Sequence, residues 1–469
     1  MAIHEKAREE YEYFLEEYLL PLLGMEHRKN DLKPAIGIKY PGSSVALEQG
    51  NIYFSTDTDT VFVLEAASLS DDNKKLAINI IQSFFVVSEF RLTSVDLITN
   101  HSYYSVIQKK ANYKMSVQKG ICNWIVGTKN DNVEKLFSLL EKWSVQTYEG
   151  RKVTFGFIVN PDAKSDFEND YGNWCKFLDD DFSAVLTDCI DSAIELDANC
   201  DFVRYISLTD NSLDENKNKY ELSDILPLRF SEIIKKFVVN KSIGIFLLNN
   251  GDIIISKQGT IRFVKRNLKW LNFNYDSFRN SLSIFSENEC VDEELIKNIF
   301  ASILDVSFSH TGGIISVVTD INQLTKCAAD GQPDLNSCDY LDNSISIEKI
   351  REDITRSMNN CGDSKTLEKE IAKRVLKRHV IQTLVGDKNF IQLDRKLRCE
   401  LISMDGACIL DTKGKVCAFG AIIKNNSGSS GGGRGAAAKK LSKYGFSIKI
   451  STDGYIELFI NEEPKFTIK

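Results

Sequence analysis

A glycine-rich run near the C-terminus, residues 428–435, carries the clearest potential for chemistry and opens directly onto the alanine-lysine stretch 436–441. Glycines let backbone N–H groups approach an anion closely, and a helix that begins beside them points its free N–H groups at the same place. Arg434 adds a planar, two-pronged donor for phosphate oxygens. The run lacks the Gly-Lys-Ser/Thr of a Walker loop and the spacing of a dinucleotide fingerprint. A phosphate site and a flexible linker are therefore the two interpretations of this run taken alone.

The charge around this run favours the phosphate site. Residues 412–452 contain no Asp or Glu but eight Lys and Arg residues. At the chain's average of 66 acidic residues in 469, a window of this length would hold about six. An island of positive charge in a chain of net charge −8 indicates a bound polyanion.

A second candidate site precedes the island, where Asp405 and Gly406 stand at the start of the apolar run 407–410. An acidic residue at the start of a buried strand can hold a divalent cation or orient a ribose hydroxyl. The small residues Gly406 and Ala407 leave room for a base or sugar beside it. These residues predict a nucleotide pocket with Asp405 at its edge.

The order of these elements resembles the DisA-type diadenylate cyclase (DAC) domain. The matching features are Asp-Gly-Ala at 405–407, a hairpin ending in the apolar strand 416–423, Gly-x-Arg at 432–434 opening a helix, and Ser-Thr-Asp at 451–453 after a strand. The helix 293–306 and the run 311–318 are similar to the domain's opening helix and first strand. The resemblance spans roughly 290–469, with a long insertion at about 320–375, and it is to a divergent branch with an N-terminal sensor-like region.

The resemblance implies an enzyme that condenses two ATP molecules into a cyclic dinucleotide, c-di-AMP or a close relative, and releases pyrophosphate. It implies Asp405 and Arg434 as catalytic residues, with Asp405 also holding Mg²⁺ or Mn²⁺. It implies a homodimer or higher homo-oligomer whose domains face each other. The implied nucleotide-binding residues are Gly406, Ala407, Ile423, Ser429, Ser430, Gly433, Gly435, Ser451 and Asp453.

The sequence also departs from the family at several positions. Arg434-Gly435-Ala436 stands where Arg-His-Arg is usual, and Met404 precedes the Asp-Gly-Ala motif where His is common. A missing charge-assisted phosphate contact costs roughly 1–3 kcal/mol. The alternative function is therefore a catalytically inactive domain that senses a nucleotide or cyclic dinucleotide. A third possibility is an interaction protein in which the glycine run is only a loop.

Hydrophobic periodicity predicts the elements that must position these residues. We expect an α+β protein: a C-terminal mixed β-sheet flanked by helices, preceded by a separate mixed α/β region. Four segments are predicted: an amphipathic helix in 1–34, a mixed sensor-like region 35–240, a hairpin-rich connector 241–289, and the DAC-like domain 290–469. The C-terminal strands are predicted at 313–318, 407–410, 416–423, 446–450 and 455–460, with helices at 293–306, 347–358, 366–385 and 436–444.

Composition limits the class of protein. A chain of 469 residues exceeds one hydrophobic core, and 43% hydrophobic residues suffice for folded domains. No apolar run of about 18 residues and no leader-like N-terminus is present, so we expect a cytoplasmic protein without a membrane partner. Eleven scattered cysteines without a C-x-x-C pair predict reduced thiols. The acidic balance argues against a nucleic-acid partner.

Other polar residues receive structural interpretations. His310 and His379 are expected to be surface or helix residues. The aromatic-basic run 262–270 is interpreted as a strand whose aromatic side chains pack and whose cations are solvated, with nucleic-acid stacking as the alternative. Arg374, Lys377 and Arg378 predict a solvated helix face, with a dimer or phosphate contact as the alternative.

Overall fold

The structure is a computed structural model. It describes residues 12–23, 32–34, 44–48, 50–55, 61–67, 69–88, 103–127, 131–148, 150–164, 190–207, 226, 230–273, 275–325, 341, 348, 351–352, 355, 364–423 and 432–468. The helix predicted at 347–358 falls largely outside these residues. Within them, every helix is too short or too polar to cross a membrane.

The chain divides into two compact units, and the division differs from the four predicted segments. The first unit comprises 1–223 and 229–274, and the second comprises 224–228 and 275–469. Most of the predicted connector 241–289 therefore belongs to the first unit, because its strands complete a sheet that begins near residue 154. Each unit combines helices with a mixed sheet, which confirms the α+β class.

The first unit contains two main sheets. A four-stranded antiparallel sheet has the order β1-β4-β3-β2, and a seven-stranded mixed sheet has the order β13-β12-β11-β10-β7-β8-β9. A two-stranded hairpin, β5-β6, lies before β7. The strands are β1 Leu32–Pro34, β2 Ser44–Glu48, β3 Asn51–Ser55, β4 Val61–Leu64, β5 Thr147–Tyr148, β6 Arg151–Lys152, β7 Thr154–Val159, β8 Ile190–Leu196, β9 Phe202–Ser207, β10 Ile243–Leu247, β11 Ile253–Lys257, β12 Thr260–Arg266 and β13 Lys269–Asn272.

The helices of this unit are a π-helical turn Leu15–Leu19 leading into α1 Leu20–Leu23, then α2 Asp71–Ser88, α3 Tyr103–Val126, α4 Asp131–Ser144 and α5 Ser231–Phe237. Helices α1 to α4 pack on these sheets through one continuous core. It includes Phe14, Phe84, Trp143 and Phe157, all buried. Helices α1 to α4 therefore share one hydrophobic interior with these sheets, whereas Ile233 and Ile234 of α5 are buried outside it.

The aromatic-basic run 262–270 lies on β12 and β13 and differs from its interpretation. Phe263 and Trp270 pack inside as expected, but Lys265 and Arg266 are buried as well. Arg266, with a side chain only 1% exposed, donates from Nε to Asp252 Oδ2 at 2.9 Å. Burying the cations is tolerated because each has a carboxylate partner, Glu141 in the case of Lys265.

The second unit is built on a six-stranded mixed sheet of order β16-β15-β14-β17-β18-β19. Its strands are β14 Gly313–Val318, β15 Ala407–Asp411, β16 Val416–Ala421, β17 Gly445–Ile450, β18 Ile456–Ile460 and β19 Glu463–Ile468. Its helices are α6 Tyr275–Glu289, α7 Glu293–Ser309, α8 Ile321–Thr325, α9 Ser364–Val385, α10 Arg395–Ser403 and α11 Gly432–Leu441, with 3₁₀ turns at Phe390–Gln392 and Ser442–Tyr444.

The central strand β14 is buried along its whole length, as its continuously apolar sequence requires. It runs parallel to β15 and antiparallel to β17. Ile314 and Val318 point toward α11 and form a core with Ala438 and Leu441. Helix α7 packs against β17, and helix α10 packs against β14. Strand β14 is therefore enclosed by helices.

Candidate functional site

The candidate residues meet at the end of the second sheet where β14 begins. The parallel register pairs Ile315 with Cys408, so continuing it backward sets Gly406 level with Gly313. The hydroxyl groups of Thr311 and Ser403, just before these strands, lie 2.8 Å apart and hydrogen-bond. We call this edge, formed by residues 311–313, 405–407, 421–423 and 450–453, the glycine end of the sheet.

Strand direction explains why separated segments converge there. The antiparallel pairs Gly313–Ile450 and Ala407–Ala421 place the end of β17 and the end of β16 beside the starts of β14 and β15. Neighbouring strands lie roughly 4.8 Å apart. The segments before β15, after β16 and after β17 therefore all leave the sheet at the glycine end.

Arg434 reaches this end from the first turn of α11. A Cβ built on Gly312 would lie 2.5 Å from Arg434 Nη1, 3.1 Å from Thr452 N and 3.2 Å from Ile450 O. The guanidinium thus occupies the space that a side chain at 312 would fill. Gly312 also has φ +69°, a conformation that glycine adopts without strain. Among the residues that the structure describes, no carboxylate pairs with Arg434.

The Asp405-Gly406 turn lies at the same end, and its carboxylate residue is exposed. Gly406 has φ +102°, and a Cβ there would lie 2.6 Å from both Gly420 O and Ala421 N. The backbone of β16 therefore passes so close that only glycine fits. Ala407, the next residue, is buried in the core beneath.

Lys377, from α9, is a further cation at this end. A Cβ on Gly420 would collide with the Lys377 ammonium and would lie 3.0 Å from Asp405 O. Lys377 Nζ also lies 5.1 Å from the centroid of the Phe419 ring. The ammonium therefore lies beside β16, near the backbone of the Asp405 turn. Its position corrects the prediction of a solvated basic helix face.

The neighbouring cation on α9 departs from that prediction too, because Arg378 is buried. A helix with a buried Arg378, and with Lys377 beside β16, does not present these two cations as a solvated face. The alternative of a phosphate contact stays a prediction for Lys377, whose ammonium lies at the glycine end. In the sequence, the basic cluster of Arg374, Lys377 and Arg378 was the signal for a role of Lys377.

Five further predicted residues lie on or next to α11 and β16 in the chain. Gly433 is exposed and Gly435 half-buried in the first turns of α11, and a Cβ on Gly435 would lie 3.8 Å from Lys449 Nζ. Ile423 is buried in the core with Ala407. Ser429 and Ser430 lie outside the described residues.

The turn after β17 uses its own polar groups. Ser451 Oγ accepts a hydrogen bond from Tyr455 N at 3.0 Å, and Ser451 N donates to Tyr455 O at 2.9 Å. Asp453 is exposed in the same turn. Ser451 therefore shapes the turn, whereas Asp453 presents its carboxylate to solvent at the glycine end.

The described residues contain no group of three or more His, Cys, Asp or Glu side chains arranged to hold a metal ion. Mg²⁺ bound with a nucleotide needs only one or two carboxylates, because phosphate oxygens and waters complete its octahedron. The exposed Asp405 fits that mode, and a cage made by the protein alone is excluded for the described residues.

The thiols near the site are unsuited to nucleophilic catalysis. Burial raises the pKa of Cys408, on β15, and of Cys417, on β16, to about 12. Both thiols are therefore protonated at neutral pH and shielded from substrates. The six cysteines that the structure describes are free thiols.

The geometry of these residues favours the binding of an anion. Two cations from different helices, Arg434 and Lys377, lie at one sheet end together with an exposed carboxylate at 405.

Comparisons of the chain with models of known protein families, with curated proteins and with solved structures give no match.

Proposed function

We propose that the glycine end of the second unit binds ATP, with the triphosphate against the start of α11. The observation that carries this proposal is the placement of the Arg434 guanidinium over Gly312, beside the Thr452 N–H and without a described carboxylate partner. A guanidinium beside exposed backbone donors matches phosphate oxygens in charge and geometry. The dipole of α11, whose N-terminus lies at Gly432, favours an anion at the same place.

The second cation supports a site for a polyanion over one for a single phosphate. Lys377 comes from a different helix and lies beside β16, whereas Arg434 lies beside β14. Two strand spacings are roughly 9–10 Å, which suits the separated charges of a nucleotide triphosphate better than one compact anion. Ile423, which follows β16 and is 8% exposed, would border the base or sugar.

The reaction that we propose is the one the DAC resemblance implies. The 3′-hydroxyl oxygen of one ATP attacks the α-phosphorus of a second ATP on a facing copy of the chain, the bond to the β-phosphate oxygen breaks, and pyrophosphate leaves. The reciprocal attack closes the cyclic dinucleotide. Asp405 would orient the attacking hydroxyl, and Arg434 would neutralise charge on the phosphates. Mg²⁺ or Mn²⁺ bound at Asp405 would add further charge neutralisation.

A second candidate function is nucleotide sensing without turnover, and a specific observation favours it. Gly435 and Ala436 stand where the family carries His and Arg, and the nearest cation to Gly435, Lys449, already pairs with Glu457 at 2.8 Å. The charge lost by substitution is therefore not replaced by Lys449. This arrangement would reduce transition-state stabilisation more than ATP binding.

The full chain incubated with ATP and Mn²⁺, and separately with Mg²⁺, tests both candidates. Pyrophosphate and a cyclic dinucleotide, detected by mass spectrometry, support the cyclase, and Asp405→Asn should abolish them. Arg434→Ala should weaken ATP binding about 10- to 100-fold, because a charge-assisted hydrogen bond contributes about 1.5–3 kcal/mol.

Two matched controls keep the result specific. Arg279 is exposed on α6 and pairs with Glu293 at 3.1 Å, so Arg279→Ala should leave ATP affinity unchanged. Asp276, in the first turn of the same helix, provides the equivalent control for Asp405→Asn. Saturable binding without turnover would select the sensor, and absence of ATP binding in the unsubstituted chain would refute both functions.

A further inference from the structure

The first unit contains a cavity of about 350 Å³ that the proposed nucleotide site does not use. It lies between α3, α4 and the hairpin of β12 and β13. Pockets that bind small molecules have volumes of roughly 300–1,000 Å³. The cavity is therefore large enough for a ligand of about ten heavy atoms or more.

The floor of the cavity is polar and held rigidly. Lys265, only 8% exposed, donates from Nζ to Gln118 Oε1 and to Glu141 Oε1. The same ammonium lies 5.7 Å from the centroid of the Trp270 ring, which also lines the cavity. A buried lysine fixed by two partners and an aromatic ring forms a preorganised base for the cavity.

The charges of the lining leave a positive excess. Glu141 pairs with Lys265, and Glu134 pairs with Lys119 at 3.7 Å. These pairs take up both carboxylates that line the cavity. Lys114, half-buried and also in the lining, is the third cation, and no carboxylate of the described residues pairs with it. An anionic group bound here would meet Lys114 without first breaking an ion pair.

The rim of the cavity is apolar and exposed. Met115 and Leu268 are each 60% exposed. Leu268 is also strained, since it follows Asn267 in the tight turn between β12 and β13 with φ +63°, where glycine or asparagine is favoured. Strain of this kind points to a role outside folding, because the exposed side chain contributes little burial to offset its cost.

We propose that this cavity binds a small amphipathic anion, a carboxylate on an aromatic or alkyl body. The anion pairs with Lys114 at the polar side, and the apolar body packs against Leu268, Met115 and the Trp270 ring. Thioether and aromatic groups attract each other, so an aryl body suits Met115 best. The inference concerns a different unit from the nucleotide site and does not depend on the proposed function.

A charge series on one hydrocarbon body tests the proposal on the full chain. The probes are 4-phenylbutyrate, 4-phenylbutan-1-ol and 4-phenylbutylamine. The readout is the NMR shift of the Met115 methyl group in chain labelled with ¹³C-methyl methionine, with Met404 in the second unit as internal reference. We expect saturable movement of Met115 alone, with the carboxylate binding most tightly and the amine most weakly.

Two substitutions identify the contacts. Lys114→Gln should weaken 4-phenylbutyrate roughly fivefold and leave the alcohol unchanged, whereas Lys110→Gln, exposed on the same helix outside the lining, should change neither. Leu268→Asn relieves the left-handed strain, so the fold should be at least as stable while all three probes bind more weakly. Equal affinity for the three probes, or an unmoved Met115 at 10 mM 4-phenylbutyrate, a concentration about tenfold above a millimolar Kd, would overturn the proposal.

Discussion

Gly406 should be irreplaceable by alanine, for two separable reasons. Its φ of +102° costs a residue with a Cβ about 1–2 kcal/mol. A Cβ would also lie 2.6 Å from Gly420 O and Ala421 N, and because both atoms are backbone, β15 and β16 must move apart. Overpacking of this kind costs about 1–3 kcal/mol. The free energy of unfolding of the second unit should therefore fall by about 2–5 kcal/mol.

Gly414 provides a matched control in the turn between the same two strands. Its φ is +81°, but a Cβ there would meet the flexible end of Leu295, at 3.1 Å from Cδ1. Gly414→Ala should therefore cost only the conformational part, about 1–2 kcal/mol. The difference between the two variants isolates the close backbone approach, about 1–3 kcal/mol, or roughly 5- to 150-fold in an opening equilibrium.

Thiol labelling at Cys408 measures that opening. Cys408 is fully buried on β15, so it reacts only when the strand is exposed, and peptide-resolved mass spectrometry in urea follows its rate. When opening is fast relative to labelling, the rate reports the open population. Cys122, buried in the first unit, should label at an unchanged rate and serves as internal control. Labelling of Cys408 in Gly406→Ala no faster than in Gly414→Ala would refute the close-approach argument.

Two further predictions concern stability. Asp252→Ala leaves Arg266 charged and buried, so it should cost about 3–5 kcal/mol, and adding Arg266→Met should recover most of the loss. Tryptophan fluorescence in urea measures both, because all four tryptophans fall in the first unit, and a double variant no more stable than the single one would contradict the reasoning. Burial raises the pKa of the Cys408 thiol from 9.0 to about 12. The contribution of the protonated, buried thiol to the free energy of unfolding is therefore complete below pH 9 and is lost as pH rises toward 12. The stability of the second unit, followed by circular dichroism, should fall by about 1.4 kcal/mol per pH unit through this thiol, and Cys408→Ala should remove that slope. A slope unchanged by the substitution would exclude Cys408 as its source.

Strongly patterned elements were predictable because their local sequence and their packing agree. The strand Gly313–Val318 has the predicted bounds, since its continuous β-branched run suits a strand enclosed by helices. The start of α7 was also predicted, and Asp292 caps it by accepting a hydrogen bond from Glu294 N. The end of α7 was not predicted. The helix continues to Ser309 and stops at His310, which adopts the left-handed conformation that glycine usually adopts at a helix end.

The long helix α3 was not predicted, because apolar and polar residues are only weakly separated on its two faces. Gly120 lies in its middle, where glycine ordinarily weakens a helix. A Cβ at 120 would lie 2.7 Å from Ile80 N, so the glycine permits a close crossing of α2 and α3. This benefit depends on a neighbour 40 residues away in the chain, and local periodicity carries no information about it.

The seven-stranded sheet shows the same limit at the level of topology. Strands β10 to β12 lie in the predicted hairpin-rich connector, but β13 was not predicted, because the run 262–270 was interpreted as one strand. In addition, β10 pairs with β7, which ends at Val159. Long chain segments separate these partners, and a hairpin pattern specifies only the local pairing. The strands of the predicted connector are therefore part of a larger sheet. Without β7, the edge of β10 would leave buried backbone groups without partners.

The candidate site residues stay predictions, and the sequence alone did not predict how they are assembled. The sequence predicted Asp405 and Arg434 from charge, glycine content and resemblance. It named Lys377 only as part of a basic helix face, and its place beside β16 depends on the fold. The topology supplies the rest: β15 is parallel to β14, and β16 and β17 are antiparallel to the strands they join at the centre. The start of β15, the end of β16 and the end of β17 must then share one edge, so the acidic turn and the basic helix start meet there. The opposite edge carries the turns after β15 and before β17, and an anion site built from these segments can form only at the glycine end.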